Sequence, residues 1–330
     1  MAIDLLAIEP NVVSRDLSGY VTYIFGEPKT GKTTMAAQMK DALLLAFEPG
    51  YKTIPGIKAQ EILTWNQFKQ VLTQLKKPEV KAAYKSIIID TVDIAIDLCE
   101  KSILDEHGVE KLTDIQWGEG SKALKKEIEN SFRSIAQMGY ALFMISHSTI
   151  RPFTRMDGTS YDQIMPTVTT KLNTVICGMA DVYGYAHKAV DEDGKGRVML
   201  TIRANDDTIH CGSRFKYIAS EIPFDYDSLA KAVNDAIDKQ AAESGAMFVT
   251  DEPVKYVEPE VYDFNALQAE FNELVAGLKA KSGSEFNSLW GPKIREVVTR
   301  YLGKGRKVAD CGEEHAEQLS LIIAELRDQM

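Results

Sequence analysis

The stretch Val21-Thr-Tyr-Ile-Phe-Gly26-Glu-Pro-Lys-Thr-Gly31-Lys32-Thr33-Thr34 is typical of a short apolar strand that enters a glycine loop and then opens a helix. The pattern G-x-x-x-x-G-K-[ST], which defines the phosphate-binding loop (P-loop), is matched by Gly26, Gly31, Lys32 and Thr33. Glycines permit the positive φ angles and the close backbone approach with which such a loop surrounds phosphate oxygens with N–H donors. A glycine turn without a ligand, joining a strand to a helix, is the alternative interpretation.

Each residue type in this loop has a defined chemical role. A lysine at the position of Lys32 reaches the β- and γ-phosphates of a nucleotide, and a hydroxyl at Thr33 binds Mg²⁺. We expect a helix from Gly31 to about Leu44, whose N-terminal dipole would face the phosphates. The residues expected to contact the nucleotide are Gly26, Glu27, Pro28, Lys29, Thr30, Gly31, Lys32, Thr33 and Thr34.

Composition limits the class of protein without selecting a partner. The chain has 330 residues, 45% of them hydrophobic, which suffices for one large domain and a smaller one. It contains no long apolar run and no basic, apolar leader, so we expect no membrane span and no signal peptide. The four cysteines form no C-x-x-C pair, which favours a reducing cytoplasm over zinc or disulfide sites. The net charge of −10 leaves room for a local basic groove that attracts a polyanion.

Apolar strands alternate with amphipathic helices along the first 242 residues. The runs Lys85–Thr91 and Gly139–His147 are all-apolar and end in polar residues, as strands do when a parallel sheet is covered on both faces. Strand–helix alternation predicts an α/β fold with a mostly parallel central sheet and right-handed crossovers. Further helices are predicted at Trp65–Lys77, Asp93–His107, Glu119–Met138 and Asp227 to about Ala242, and an antiparallel hairpin at Asp181–His187 and Gly196–Arg203.

The end of the chain has a different organisation. Residues 243–262 are acidic, contain two prolines and show no periodicity, which indicates a linker between a domain of residues 1–242 and a small helical domain of residues 263–330. Asp310 and Glu313 have capping-box spacing ahead of an apolar helix face. The helices predicted in the small domain are Phe264–Ala280, Ser284–Leu302 and Asp310–Gln329.

Three polar residues follow predicted strands and are candidates for the chemistry of the site. Asp90 suits the second carboxylate that holds Mg²⁺, with an N-cap of the next helix as the alternative. Glu48, the acid that follows the apolar run Ala42–Phe47, could orient and deprotonate an attacking water, or could be a surface turn acid before Pro49. His147 ends the strand expected between the P-loop strand and the Asp90 strand, where it would sense the γ-phosphate or serve only as a satisfied hydrogen-bonding group.

Two segments combine the features of a nucleic-acid surface. The region Thr149–Leu172 is polar and is predicted to be a loop, and it mixes positive charge with aromatic faces at Arg151, Phe153, Arg155 and Tyr161. A solvated loop with incidental arginines explains the same residues. The basic turn Gly303–Lys307 could lie along phosphates through Lys304, Arg306 and Lys307, and the alternative is an ordinary soluble turn.

These motifs together resemble a RecA-like ATPase of the phage nucleotide-binding (AAA-type) family that includes ATP-dependent single-strand annealing proteins. The resemblance covers roughly residues 15–240 and implies a RecA-like P-loop core with a C-terminal β-hairpin. The matching pieces are Gly26–Thr33, Leu-Ala-Phe-Glu48, Ser-Ile-Ile-Ile-Asp90-Thr, Trp117-Gly-Glu-Gly, Phe-Met-Ile-Ser-His147 and Gly212-Ser-Arg214-Phe.

The resemblance implies roles for individual residues. Glu48 would be the catalytic glutamate, and His147 would take the position that is usually Gln in RecA and often His in the phage proteins. By position, the loops Val109–Gly120 and Ser148–Leu172 would bind single-stranded DNA. The family assembles head-to-tail, and a basic residue of one subunit completes the ATP site of the next; the candidates are Arg203 and Arg214. Gly212 and Ser213 stand before Arg214 where the family often has Lys or Ala-Lys.

The functional expectation is an ATP- and Mg²⁺-dependent P-loop ATPase, stimulated by DNA, that acts on single-stranded DNA in phage recombination or single-strand annealing. It would form a head-to-tail homo-oligomer in the cytoplasm, which is the host cytoplasm for a phage-encoded chain. A single-strand-binding protein is a further candidate partner. A non-hydrolysing module that assembles with nucleotide and a small-molecule P-loop kinase are the alternatives.

Overall fold

The computed structural model describes residues 6, 8, 10–190, 194–244, 248–253 and 262–329. One compact unit spans Asn11–Tyr256, and a second takes in Met1–Pro10 and Val257–Met330. The strands are β1 (Val13–Ser14), β2 (Val21–Gly26), β3 (Ala42–Ala46), β4 (Lys58–Glu61), β5 (Ser86–Asp90), β6 (Ala141–Thr154), β7 (Ser160–Pro166), β8 (Val182–Val190), β9 (Gly196–Thr201), β10 (Gly212–Ser213), β11 (Glu221–Pro223) and β12 (Val249–Thr250). The helices of the first unit are α1 (Lys32–Ala36), α2 (Trp65–Leu75), α3 (Pro78–Ala83), α4 (Val92–His107), α5 (Glu119–Gln137), α6 (Thr170–Met179) and α7 (Tyr226–Ser244).

The large sheet has the strand order β11-β9-β8-β2-β6-β5-β3-β4. Neighbours from β8 to β4 are parallel, whereas β9 and β11 are antiparallel to their partners. The fold is therefore α/β with a mostly parallel sheet, as the alternation of apolar strands and helices predicts. β6 lies between β2 and β5, and β8 and β9 form the predicted antiparallel hairpin.

Both faces of the sheet are covered, which explains why its central strands are apolar throughout. One face packs against α2, α4, α5 and α6, with Phe68, Ile96, Phe132 and Ile176 in its core. The other face packs against α1 and α7 and buries Met35 and Val233. Because the carboxyl ends of parallel strands share one edge, this layering leaves that edge free for polar groups.

Helix α1 is shorter than the sequence predicts. It ends at Ala36, and Asp41 takes a positive φ of 45° before β3 begins. The leucines that helical propensity assigned to this helix, up to Leu44, belong to β3, where Leu44 and Leu45 are fully buried between neighbouring strands. The prediction of a helix from Gly31 to Leu44 is therefore wrong in its second half, because tertiary burial overrides local propensity.

The region Thr149–Leu172 is not the loop that its polarity suggested. β6 leaves the sheet after His147 and pairs with β7 from Ser148↔Pro166 to Thr154↔Ser160. We call residues Ser148–Pro166 the ribbon. Most ribbon residues are partly or fully exposed, and burial is confined to its end at Met165 and Pro166, so its strands lack the regular alternation of buried apolar and exposed polar residues that marks a strand in sequence.

The stretch predicted as a linker is only partly described. Within it, Val249 and Thr250 form β12, which pairs in parallel with β1 at Val13 and Ser14. Residues 245–247 and 254–261 of the predicted linker lie outside the described residues.

The second unit contains α8 (Phe264–Ser282), α9 (Phe286–Leu302) and α10 (Ala316–Asp328) around a core that includes Leu319, Ile322 and Leu326. The capping-box prediction is wrong, because α10 begins at Ala316. Asp310 instead accepts a hydrogen bond from the Lys307 N–H in a separate 3-10 turn. Among the helices that the structure describes, none combines the length and apolarity needed to cross a bilayer.

Candidate functional site

The polar strand ends predicted from sequence meet at one edge of the sheet. In the pairing registers, Gly26 lies opposite His147, and Asp90 lies opposite both Ile145 and Ala46. The P-loop follows β2, His147 lies in β6, and Asp90 ends β5. Glu48 follows β3, and its N–H donates to the carbonyl oxygen of Asp90 at 3.1 Å. Four segments far apart in the chain therefore converge on the N-terminus of α1.

The P-loop has the backbone that its glycines predict. Gly31 takes a φ of 85° and Lys29 a φ of 63°. Gly26 is required by a close approach: a Cβ at this position would lie 2.2 Å from the carbonyl oxygen of Ala186 in β8. The loop is thus fixed by β8 on one side and α1 on the other.

The Lys32 side chain is bonded to its own loop. Its Nζ donates to the carbonyl oxygens of Gly26 at 2.8 Å and Glu27 at 2.7 Å, and the side chain is buried. Burial lowers the pKa of Lys32 to about 8, opposed first by the carboxylate of Asp90 and then by that of Asp93. The ammonium thus lies in a pocket of backbone and carboxylate oxygens, where incoming phosphate oxygens could replace its backbone partners.

Asp90 and Thr33 form the pair predicted for the metal. The Thr33 hydroxyl donates to Asp90 Oδ2 at 2.7 Å, and Asp90 is a buried residue with 5% of its surface exposed. Burial raises the pKa of Asp90, while the bond from Thr33 opposes that rise. Thr91, not Asp90, is the N-cap residue of α4, so the capping alternative does not describe Asp90. A hydroxyl and a carboxylate oxygen side by side fit the hard-oxygen ligand preference of Mg²⁺.

Glu48 is held from two sides. Its Oε1 accepts a hydrogen bond of 2.7 Å from the Thr91 hydroxyl and lies 3.4 Å from Nε2 of His147. The other ring nitrogen of His147, Nδ1, is buried without a hydrogen-bond partner among the described residues. Although Glu48 precedes Pro49, its side chain is thus directed to the strand ends and not to a surface turn.

The two arginines predicted to complete the ATP site of a neighbouring subunit differ in how exposed their side chains are. The Arg203 guanidinium donates to the carbonyl oxygens of Ser213 and Phe215, at 3.3 and 2.9 Å, and is half-buried. Arg214 pairs with Asp181 at 3.2 Å, and its side chain is 61% exposed. Arg203 is therefore used within the fold, and Arg214 is the one that remains accessible.

Arg214 lies at the edge of the sheet opposite the P-loop. Its partner Asp181 bonds to the backbone of Val21, the first residue of β2, whereas the P-loop begins at the last, about 17 Å away along the strand. A cavity of about 740 Å³ lies at this opposite edge, lined by Tyr20, Phe132 and Arg214 among others. The nucleotide site is not placed there, because the loop, the buried lysine and the paired hydroxyl and carboxylate all lie at the other edge.

The ribbon brings together the residues predicted for DNA. Phe153 lies opposite Tyr161 in the pairing register, with ring centroids 5.9 Å apart, and the Arg155 guanidinium lies 4.5 Å from the Tyr161 ring centre. Arg155 also pairs with Asp207 at 3.0 Å. Arg151 donates to the carbonyl oxygens of Thr167 and Val168. We call the residues that flank the ribbon, His147, Thr167 and Val168, the ribbon base.

The other predicted DNA residues belong to the second unit. Lys304 is exposed in a turn formed by Gly303 and Gly305, which have φ angles of 89° and 86°. Arg306 contacts His315 at 3.1 Å, and the Lys307 N–H is bonded to Asp310. These contacts build a compact basic turn in that unit.

Sequence reasoning missed three residues that complete the site. Thr91 positions Glu48, Asp93 accepts hydrogen bonds from the ribbon base, and Asp207 pairs with Arg155. Thr91 and Asp93 follow Asp90 within one helical turn, which was the available signal. Asp207 carried none, because its contact depends on how residues 206–210 pass the ribbon.

The fold and this edge of the sheet define a P-loop nucleotide-binding protein. The profile of a family described as an AAA domain (AAA_24) matches residues 18–215, more than half of the chain, and the chain belongs to this family. The chain is also similar to the SPbeta prophage-derived uncharacterized protein YorG of Bacillus subtilis (strain 168), with 28% identity over 334 residues that cover 99% of each protein.

Proposed function

We propose that this P-loop protein is a RecA-like ATPase that hydrolyses ATP and acts on single-stranded DNA in phage recombination, including strand annealing. The observation that carries the proposal is the placement of Glu48. Its carboxylate is oriented by the Thr91 hydroxyl, one strand away from Asp90, with the imidazole of His147 3.4 Å from it. A nucleotide-binding module without turnover has no need of a positioned base at this point.

The residues divide the work of phosphoryl transfer among them. Thr33 and Asp90 would hold Mg²⁺, which would neutralise charge on the phosphates. Lys32 would exchange its carbonyl partners for phosphate oxygens, and the N–H groups of the loop would bind the remaining ones. Glu48 would accept a proton from the attacking water, and His147 would contact the γ-phosphate.

The order of the strands supports a RecA-like arrangement. The P-loop strand β2 has the His147 strand on one side and β8 on the other. Beyond the His147 strand come β5, which ends at Asp90, and then β3, which Glu48 follows. The antiparallel β8–β9 hairpin follows the parallel core, as the resemblance to the phage family implies. These features favour this class over a small-molecule kinase.

Single-stranded DNA is supported by the ribbon. Phe153 and Tyr161 offer two stacked rings at partly exposed positions, and Arg155 adds a positive charge beside them. Bases stack on aromatic side chains without regard to sequence, and arginines follow the phosphates. The basic turn with Lys304, Arg306 and Lys307 is a second proposed contact, and Arg214 is proposed to reach the ATP site of a neighbouring subunit.

ATP turnover with and without poly(dT) tests the proposal. The native chain should hydrolyse ATP faster with the oligonucleotide, and Lys32→Ala should lose nucleotide binding. Glu48→Gln should retain binding, because the amide still accepts from Thr91, while turnover falls about a hundredfold or more. Nucleotide binding without turnover in the native chain would contradict the ATPase, and turnover that ignores DNA would contradict the DNA role.

Subunit mixing tests the position of Arg214. Arg214→Ala subunits should regain turnover when combined with Lys32→Ala subunits, since each supplies what the other lacks at one shared site. Asp181 and Gly178 contact Arg214 within the chain, so the folding of the variant is checked by its thermal unfolding. Absence of recovery with folded subunits would exclude a role in trans.

A further inference from the structure

We propose that Asp93 is a positioning residue that couples the nucleotide site to the ribbon, through its bond to Thr167. This inference rests on the proposed function, because the ribbon is the proposed DNA surface. Asp93 lies in the first turn of α4, three residues after Asp90. It therefore lies close in the chain to Asp90, the proposed Mg²⁺ ligand at the end of β5, while its carboxylate faces the ribbon base.

The carboxylate of Asp93 joins two chain segments at the point where the ribbon leaves the sheet. Its Oδ1 accepts a hydrogen bond from the Thr167 hydroxyl, and its Oδ2 faces the N–H of His147 at 3.4 Å. The Thr167 N–H in turn donates to the carbonyl oxygen of His147 at 3.0 Å. Asp93, His147 and Thr167 therefore form a closed cycle of contacts.

His147 contacts both the nucleotide site and the residue that follows the ribbon. Its ring lies against Glu48, whereas its backbone is bonded to Thr167, one residue past the ribbon. Arg151, which lies in the ribbon part of β6, donates hydrogen bonds to the carbonyl oxygens of Thr167 and Val168. The ribbon is therefore bonded to Thr167, the residue that contacts both Asp93 and His147. A shift of the site edge is thus transmitted to the ribbon through fixed hydrogen bonds.

Electrostatics connect Asp93 to the nucleotide as well. After Asp90, the Asp93 carboxylate is the group that most favours the charged form of Lys32. When phosphates take Lys32 away from its loop carbonyls, the balance of charge around Asp93 changes. Nucleotide binding would therefore act on Asp93 through charge as well as through the hydrogen bonds of the ribbon base.

Hydrogen–deuterium exchange measures the coupling without DNA. In the native chain, Mg·ATPγS should change the exchange of peptides from residues 148–166. Thr167→Val, which removes the hydroxyl and keeps the shape, should reduce that change about threefold or more. Its ATPγS affinity should remain within about twofold, because the Thr167 side chain is not among the groups proposed to touch the nucleotide, and its hydroxyl bonds to Asp93.

Two further variants separate coupling from damage. Thr167→Ser restores the hydroxyl and should recover the native response. Thr170→Val removes a hydroxyl that contacts Arg151 but not Asp93, and should behave as the native chain does. Thermal unfolding of each variant verifies its fold.

The outcomes distinguish this inference from the proposed function. A full nucleotide response in Thr167→Val, or no response in a native chain that binds ATPγS, would overturn the coupling. ATP turnover measured in parallel with poly(dT) judges the DNA role independently. If turnover is stimulated, Thr167→Val should lose about threefold or more of the stimulation.

Discussion

Lys32 Nζ lies 2.7 Å from the carbonyl oxygen of Glu27, so the side chain expected to bind phosphate is bonded to the loop that carries it. A second bond, to Gly26, holds it 2.8 Å from the end of β2. These contacts stabilise the buried ammonium, and phosphate oxygens that bind Lys32 as proposed would replace them. Binding and the charge of Lys32 are therefore linked.

Nucleotide affinity should fall as the pH rises above about 8. Burial lowers the pKa of Lys32 to about 8, and the proposed phosphate contact requires the ammonium, so binding at higher pH would take up a proton. The expected loss is about tenfold per pH unit once the amine is neutral. Fluorescent ATP titrations across this range measure it, and Lys32→Arg, which stays charged, should lack the dependence. A flat native profile would contradict the prediction.

The lowered pKa of Lys32 has the opposite effect on the stability of the nucleotide-free protein, which should increase with pH. Because the folded pKa of Lys32 lies below its ordinary value, the unfolded chain binds more protons between the two values. The contribution of Lys32 to the free energy of unfolding should therefore rise as the pH increases through this window. Comparison of native and Lys32→Arg denaturation curves isolates it.

Asp90→Asn should stabilise the free protein while abolishing its response to Mg²⁺. Burial raises the pKa of Asp90, so its ionised form is disfavoured in the folded state; the penalty is present at neutral pH and disappears on acidification through the folded pKa. The amide can still accept from Thr33. Thermal unfolding should show a higher midpoint without ligand and a smaller increase with Mg·ATPγS than in the native chain.

A matched control for this prediction is Asp97→Asn, which removes an exposed charge further along α4. It should keep the native response to Mg·ATPγS. Persistence of a full Mg²⁺-dependent increase in Asp90→Asn would show that Asp90 is not the metal ligand.

Gly26→Ala should disrupt the seam between β2 and β8. The added Cβ would meet the Ala186 carbonyl oxygen at 2.2 Å, and backbone on both sides resists movement. We expect a loss of about 2 kcal/mol in the free energy of unfolding, measured by denaturant titration. Gly50→Ala, where a Cβ meets nothing within 4 Å, is the control and should be nearly neutral. Equal stabilities would refute the close approach.

Arg155→Gln should weaken binding to single-stranded DNA and reduce its dependence on salt. Removal of one phosphate contact lowers the slope of log affinity against log salt by about 0.7. The control is Arg133→Gln, which removes an exposed arginine paired with Glu129 on α5. Fluorescence anisotropy with a labelled poly(dT) at several salt concentrations gives both slopes, and identical slopes would exclude Arg155 from the DNA surface.

Sequence patterns were sufficient to predict the parts of the site that lie within a few consecutive residues. The P-loop, the buried strand before Asp90 and the strand that carries His147 each have a signature within a few residues, and the parallel order follows from strand–helix alternation. The boundary of α1 was not readable, because Leu44 is an equally good helix or strand residue until its burial in β3 is known. The ribbon was missed because most of its residues lie outside the core, so its polar and aromatic residues do not show the alternation of a half-buried strand.

Contacts between distant segments account for the rest of the difference. No residue near Glu48 in the sequence indicates its hydrogen bond with Thr91, which is 43 positions away. Likewise, Asp181 determines the location of Arg214 at the far edge of the sheet, although the two are separated by 33 positions. Such pairings depend on the register of strands, which single-sequence patterns do not specify.

The 14 residues of β6 form one uninterrupted strand that is central in the sheet at its start and free of it at its end. At about 3.3 Å per residue, the tip lies more than 20 Å beyond His147. The turn at Asp157 and Gly158 is consequently a natural insertion point for a reporter peptide or a longer hairpin. Such an insertion would lengthen the ribbon without altering the residues around His147. The ribbon could therefore carry inserted sequences in engineered variants of this protein.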